Sequence, residues 1–170
     1  MALFQKSFTD IYDNYVDKIY RFVFLKVNSK VIAQDLTSET FTRTLEYLKR
    51  NPDVQIENMQ AFLYRTARNI VTDYYRQKSR QDVPLEYESE EIVNREVPES
   101  ARPDRIAAQR EQMAKIQTAL ANMAGESADV VMWHYIEDMS IKEIANILDR
   151  PEGTIRVMLH RGLKELRKGL

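Results

Sequence analysis

The sequence contains no cysteine. That absence excludes a disulfide framework, a thiolate-bound zinc and a cysteine nucleophile together. Histidine is nearly as scarce: only His134 and His160 occur, and neither sits at metal-ligand spacing. His134 lies among apolar neighbours in "VVMWHYI", the setting of a partly buried, hydrogen-bonded ring. No glycine-rich loop is present to cradle a phosphate. No metal, cofactor or enzyme activity is therefore expected. Four glycines and five prolines in 170 residues are too little punctuation for a turn-rich β architecture. No run of eighteen apolar residues exists, so no segment is expected to insert in a membrane. The start, "MALFQKSFTDIYD", lacks the basic stretch and apolar core of a secretory signal. A cytoplasmic protein is the default expectation.

What remains is a helix-forming composition, 44% apolar and 30% charged. The formal net charge of -1 hides a strong asymmetry. Residues 1–83 carry 13 basic against 10 acidic side chains, and residues 140–170 carry 7 against 4. Between them, residues 84–105 carry 3 against 7 and residues 106–139 carry 2 against 5. Two basic ends flank an acidic middle, which is a charge distribution suited to nucleic acid even at neutral balance.

The N-terminal part reads as three helices. Phe8, Ile11, Tyr12, Tyr15, Ile19, Phe22, Val23 and Lys26 recur at helical spacing, mostly as core positions. A second helix covers about residues 33–48, with Leu36, Phe41, Leu45 and Leu48 on its apolar side. Asp35, Glu39, Thr42 and Glu46 fall together on the opposite side. Pro52 lies in a loop, and a third helix covers about residues 59–78. There Leu63, Ala67, Ile70 and Tyr74 form one stripe, while Arg65, Arg68, Asn69, Thr72 and Arg76 form another that faces away. The segment 84–105 has Pro84, Pro98, Pro103 and many glutamates, the composition of an extended linker. The expected fold is therefore all-α: two small helical domains, residues 1–83 and 106–170, joined by an acidic, mostly extended linker.

The C-terminal domain reads as helices near residues 106–123, 127–136, 141–148 and 155–168. "SIKE" predicts a capping box in which Ser140 and Glu143 satisfy each other's backbone amides. A short helix, a turn at Asp149–Gly153 and a further helix match helix-turn-helix spacing. Gly153 is expected to supply the unusual backbone conformation and Thr154 the N-cap. The last helix sorts into an apolar side, Ile155, Leu159, Leu163 and Leu166, and a cationic one, Arg156, His160, Arg161, Lys164, Arg167 and Lys168. Such a helix fits a DNA major groove, with arginine pairing to guanine and lysines neutralising phosphates. The chain closes almost with this helix, so no further regulatory domain is expected after it.

With these motifs in view, the sequence resembles the extracytoplasmic-function (ECF) sigma factors of the sigma-70 family. "AQDLTSETFTRTLEYL" resembles region 2.2, "AFLYRTARNIVTDYYRQKSR" region 2.4, and "MSIKEIANILDRPEGTIRVMLHRGLKEL" region 4.2. The resemblance implies an RNA polymerase subunit that selects and opens promoters, with the core enzyme as partner. Asp35, Glu39, Thr42 and Glu46 would dock on the β′ clamp coiled coil, and the C-terminal domain on the β flap. Arg65, Arg68 and Arg76 would hold the opened minus-ten strand, Asn69 would bond a base edge, Tyr75 would stack, and Thr72 belongs to the same face. Phe62 suits either core packing or strand separation. Thr154, Arg156, Val157, His160, Arg161 and Lys164 would meet the minus-thirty-five element. Three residues depart from the common pattern: Val157 for a small polar residue, Met158 for a basic one and Gly162 for alanine. Gly162 is expected to cost about 1 kcal/mol of helix stability. The acidic linker suits a solvated tether or a segment threaded toward the polymerase cleft. An anti-sigma factor is the further partner the resemblance implies, and it would hold the protein near the membrane if it were itself anchored there. The rival reading is a stand-alone helix-turn-helix regulator, which predicts tight duplex binding without polymerase.

Overall fold

The computed structural model describes residues 2–80, 103–123 and 125–170. Every regular element among them is helical. Helices α1 (Ala2–Val27), α2 (Lys30–Arg50) and α3 (Met59–Arg80) form the N-terminal part. Helices α4 (Pro103–Asn122), α5 (Gly125–Val131), α6 (Ile141–Leu148) and α7 (Glu152–Gly169) form the C-terminal part. A π-helical turn, Met132–Ile136, continues α5. Helix α4 begins inside the segment expected to be linker, because a proline lacks only an N–H that the first turn leaves unpaired. The rest of that linker lies outside the described residues.

The three N-terminal helices pack through Ile19, Phe22 and Val23 of α1, Ala33, Leu36 and Phe41 of α2, and Leu63, Ala67 and Ile70 of α3. Asn28, in the left-handed region at φ 51°, turns the chain between α1 and α2, a conformation asparagine tolerates. Ser29 then caps α2, accepting from the Ile32 amide. Tyr12 departs from the expected core: it is exposed, with its ring edge-on to Phe41 at 4.9 Å. Thr37, Thr40 and Thr44 are buried instead. The Thr40 and Thr44 hydroxyls donate 2.8 Å bonds to the Leu36 and Thr40 carbonyls, which makes a polar side chain tolerable inside.

The C-terminal core gathers Val130, Val131, Met132, Trp133, Met139, Ile144, Ile147 and Ile155. The capping box forms as the sequence predicts, with the Ser140 hydroxyl accepting from Glu143 N–H and the Glu143 carboxylate accepting from Ser140 N–H. The turn is built differently from the expectation. Asp149, not Gly153, takes the left-handed conformation, at φ 51°. Its amide and that of Arg150 both bond the Ala145 carbonyl, closing α6. Pro151 then stands at the N-cap, so α7 starts at Glu152 and Thr154 lies inside its first turn, bonding Pro151 O through its amide at 3.0 Å. Thr154 is therefore not the cap; the fixed φ of proline starts the helix earlier.

The two parts share one continuous apolar core. Trp133, fully buried, stacks on Phe22 at 5.4 Å and meets Tyr64 edge-on at 5.9 Å. Phe22 and Tyr64 touch each other at 5.7 Å. An aromatic triad thus forms the seam between α1, α3 and the π-helical turn.

Candidate nucleic-acid interfaces

Helix α7 presents the cationic surface that the sequence predicts. Its buried side is anchored by Ile155 and Gly162, with Leu159, Leu163 and Leu166 half-buried beside them. Arg156, Val157, His160, Arg161 and Lys164 are exposed, and Thr154 is half-buried. Arg156 donates to Glu152 one turn back at 3.2 Å, an exposed pair that is readily exchanged for another acceptor. Val157, half exposed at 50%, gives this face an apolar spot. Met158 is half-buried and receives an Arg150 contact at its sulfur at 4.0 Å.

Helix α2 also behaves as predicted. Asp35, Thr42 and Glu46 are exposed and Glu39 is partly so, paired with Arg43. Arg43 lies 4.0 Å from Asp73 of α3 as well. The acidic row therefore remains available along one side of the bundle.

The α3 stripe lies at the surface, with Arg65, Asn69, Thr72 and Arg76 exposed and Arg68 half-buried. Two of its side chains, Arg65 and Arg68, also bond the C-terminal part. Arg65 Nε donates to the Ile147 carbonyl at 2.7 Å, and its Nη2 to the Asn146 carbonyl. These are the last carbonyls of α6, the negative end of its dipole. Arg68 Nε donates to Asp129 Oδ2 at 2.9 Å and its Nη2 to Glu126 Oε1 at 3.0 Å. Asn69 stays exposed beside them. It lines a cleft of about 310 Å³ with Arg65, Arg68, Ile147, Leu148 and Asp149. Thr72 is exposed, its hydroxyl bonded to the Arg68 carbonyl. Arg76 is exposed, and Tyr75 donates its hydroxyl to the Lys26 carbonyl at the far end of α1. Phe62 is half-buried against Tyr47, ring centroids 5.0 Å apart. Tyr74 packs against the core.

Other side chains in this seam were not singled out from sequence. Asp129, with 2% of its side chain exposed, accepts from Lys26 Nζ at 2.6 Å as well as from Arg68. Glu126 also pairs with Arg150 at 2.8 Å. Arg21 forms a two-point pair with Glu137, one arm at 2.7 Å. Hydrogen bonding to Glu137 holds the Arg21 guanidinium above its ordinary pKa. Burial raises the Tyr64 hydroxyl well above the usual tyrosine range. The Tyr64 hydroxyl and the Trp133 indole N–H are buried with no hydrogen-bond partner among the described residues. The signal available in the sequence was the opposite charge of residues 1–83 and 106–139. His134 is half-buried, with Nδ1 2.7 Å from the Met139 carbonyl, as its apolar surroundings suggested.

Comparison with known proteins bears on the family of the chain. Residues 11–81 match sigma-70 region 2, and residues 113–166 match sigma-70 region 4. The ECF RNA polymerase sigma factor SigW of Bacillus subtilis is 29% identical over 98% of this chain and 90% of its own length. The RNA polymerase sigma-E factor of Streptomyces coelicolor is 30% identical over 85% of this chain and 75% of its own. Among solved structures, CnrH in complex with the cytosolic domain of CnrY superposes with a TM-score of 0.66. It covers 96% of this chain and 87% of that one at 18% identity, a likeness of fold. No helix among the described residues is long and apolar enough to cross a membrane. Two sigma-70 regions in order, on an all-helical scaffold with a basic helix-turn-helix, identify the chain as an ECF sigma factor, which directs RNA polymerase to specific promoters for transcription initiation.

Proposed function

We propose the following division of labour within that role. Residues 1–83 form the polymerase-docking and minus-ten domain, residues 84–105 the linker, and residues 106–170 the minus-thirty-five domain. The matched segments, 11–81 and 113–166, support these bounds. The observation that carries the reading is α7: an exposed cationic side mounted on a buried apolar one, after a capped helix and a tight turn. Arg156, His160 and Arg161 meet base edges in the major groove, Thr154 and Lys164 hold phosphates, and Val157 contacts a thymine methyl.

Asp35, Glu39, Thr42 and Glu46 dock on the β′ clamp coiled coil, and the C-terminal domain leans on the β flap. On the opened minus-ten strand, Arg65, Arg68 and Arg76 bind phosphates, Asn69 bonds a base edge, Thr72 supports the backbone and Tyr75 stacks on a base. Phe62 packs beside Tyr47 at the point where the strands part. Chemistry belongs to the polymerase core; this chain supplies sequence choice and strand separation. Each reader is weak alone and gains from being joined to the other. An anti-sigma factor restrains the protein in the cytoplasm, or at the membrane when that partner is anchored there.

Run-off transcription with and without core enzyme tests the reading. Promoter-dependent transcripts are expected only when both are present. Tight, two-fold-symmetric duplex binding by the chain alone, with no transcript from any holoenzyme, is the opposite result.

A further inference from the structure

We infer that Arg150, in the turn before α7, is a further promoter-contacting residue: its guanidinium takes a DNA phosphate at the point on the flank of α7 where Met158 offers no charge. The inference rests on the sigma-factor reading for the helix that enters the groove.

Thr154, Met158 and Arg161 are spaced by four and three residues, so they lie one above another along one flank of α7. Thr154 and Arg161 end that row, and both are assigned to DNA above. Met158 between them is half-buried and uncharged. The row therefore has a gap at its centre.

Arg150 reaches into this gap from outside the helix. It stands between Asp149, in the left-handed conformation, and Pro151 at the start of α7. Its Nη1 lies 4.0 Å from the Met158 sulfur. Its Nη2 pairs with Glu126 Oε2 of α5 at 2.8 Å. The two contacts hold the guanidinium over Met158, while 43% of the Arg150 side chain stays exposed. A thioether is a weak acceptor, so Nη1 gives up little when a phosphate oxygen replaces it. Glu126 meets the other arm and can keep aiming the fork while a phosphate binds. A fork already oriented loses little freedom on binding. Val157, His160 and Lys164 occupy the middle of the exposed side, where base edges are met. A charge on the flank meets backbone instead, so Arg150 seats α7 in the groove without choosing the sequence.

The test compares holoenzymes on one duplex, a promoter that the parent transcribes in the run-off assay, over a series of salt concentrations. Arg150→Ala should bind about three- to tenfold more weakly. The loss should be the same for variants of that promoter with single changes in the minus-thirty-five element. Its plot of log affinity against log salt should be shallower by about 0.9, the loss of one phosphate contact. Met158→Arg in the Arg150→Ala background should restore affinity and slope together, because the new guanidinium starts from the same gap. Met158→Arg alone should leave the slope near that of the parent, since one phosphate is there to be met.

A mere tie between α5 and the turn predicts a lower Tm with an unchanged slope and no recovery by Met158→Arg. An unchanged slope in Arg150→Ala, no recovery in the double variant, or a further full step in Met158→Arg alone overturns the inference. If Arg150→Ala loses its helical circular dichroism, Arg150→Gln, which keeps a donor for Glu126 without the charge, is judged by the same criteria. A parent that gives no promoter-dependent transcript refutes the sigma-factor reading and this inference together. A transcribing parent with any of the three failed results refutes the inference alone.

Discussion

Replacing Gly162 by alanine pits two effects of similar size against each other. Within an 18-residue helix, glycine to alanine should gain about 1 kcal/mol of propensity. The packing opposes it. A β-carbon at Gly162 would lie 2.7 Å from Val131 Cγ2, 3.0 Å from the Ser127 carbonyl oxygen and 3.5 Å from Met123 Cε. The methionine can yield, because its side chain is flexible. The valine is β-branched and on a helix, with one favoured rotamer, and the Ser127 oxygen is main chain. Relief requires α7 to lift from α5, and such overpacking costs about 1–3 kcal/mol. The net expectation is a loss of about 1 kcal/mol, or a fall in Tm of about 2–4 °C for a chain of this size. Urea and thermal unfolding of the full chain measure it. A gain of about 1 kcal/mol, the full propensity term, would refute the claim that α7 needs glycine to seat on α5.

Tyr64→Phe removes a buried, unpartnered hydroxyl and should stabilise the protein by about 1 kcal/mol at neutral pH, read by urea unfolding. It should also flatten the alkaline limb. The folded pKa of Tyr64 is raised, so above pH of about 10 the unfolded chain releases a proton that the native state keeps, and stability falls by about 1.4 kcal/mol per pH unit. Ser140→Ala should cost about 1 kcal/mol in the same assay by uncapping α6. In footprinting of the holoenzyme, Arg156→Ala should cost about 1–3 kcal/mol and relax base preference at one position, whereas Lys164→Ala should weaken binding evenly and lower its salt dependence. Asp35→Lys with Glu46→Lys should abolish co-elution with core polymerase on gel filtration while leaving Tm nearly unchanged, because both side chains are exposed.

Features with a local cause were legible in the sequence. The bounds of α6 and its capping box follow from Ser140, Glu143 and the periodicity between Ile141 and Leu148. The cationic side of α7 follows from its spacing alone. The turn was misassigned because two residue types can adopt a left-handed backbone, and Asp149 took it where glycine was expected. The π-helical turn leaves no periodic mark in an apolar run such as "VVMWHYI". The partners of Arg65 and Arg68 are about sixty to eighty residues distant in the chain, and no spacing rule reaches that far. An acid inside an apolar stretch, Asp129, and a lysine at a core register, Lys26, were the local traces of that pairing. From sequence, Gly162 is only a cost to the helix, because the neighbour it admits, Val131, lies thirty-one positions earlier.

The aromatic triad has a practical consequence. Trp133 is the sole indole in the chain, and it sits wholly shielded between Phe22 and Tyr64. Its emission therefore reports one event. While the halves are together the fluorophore is dry and should emit toward the blue; once they part, water reaches it and the spectrum moves to the red. Any parting of these three rings would therefore be readable from the protein's own fluorescence, without a label.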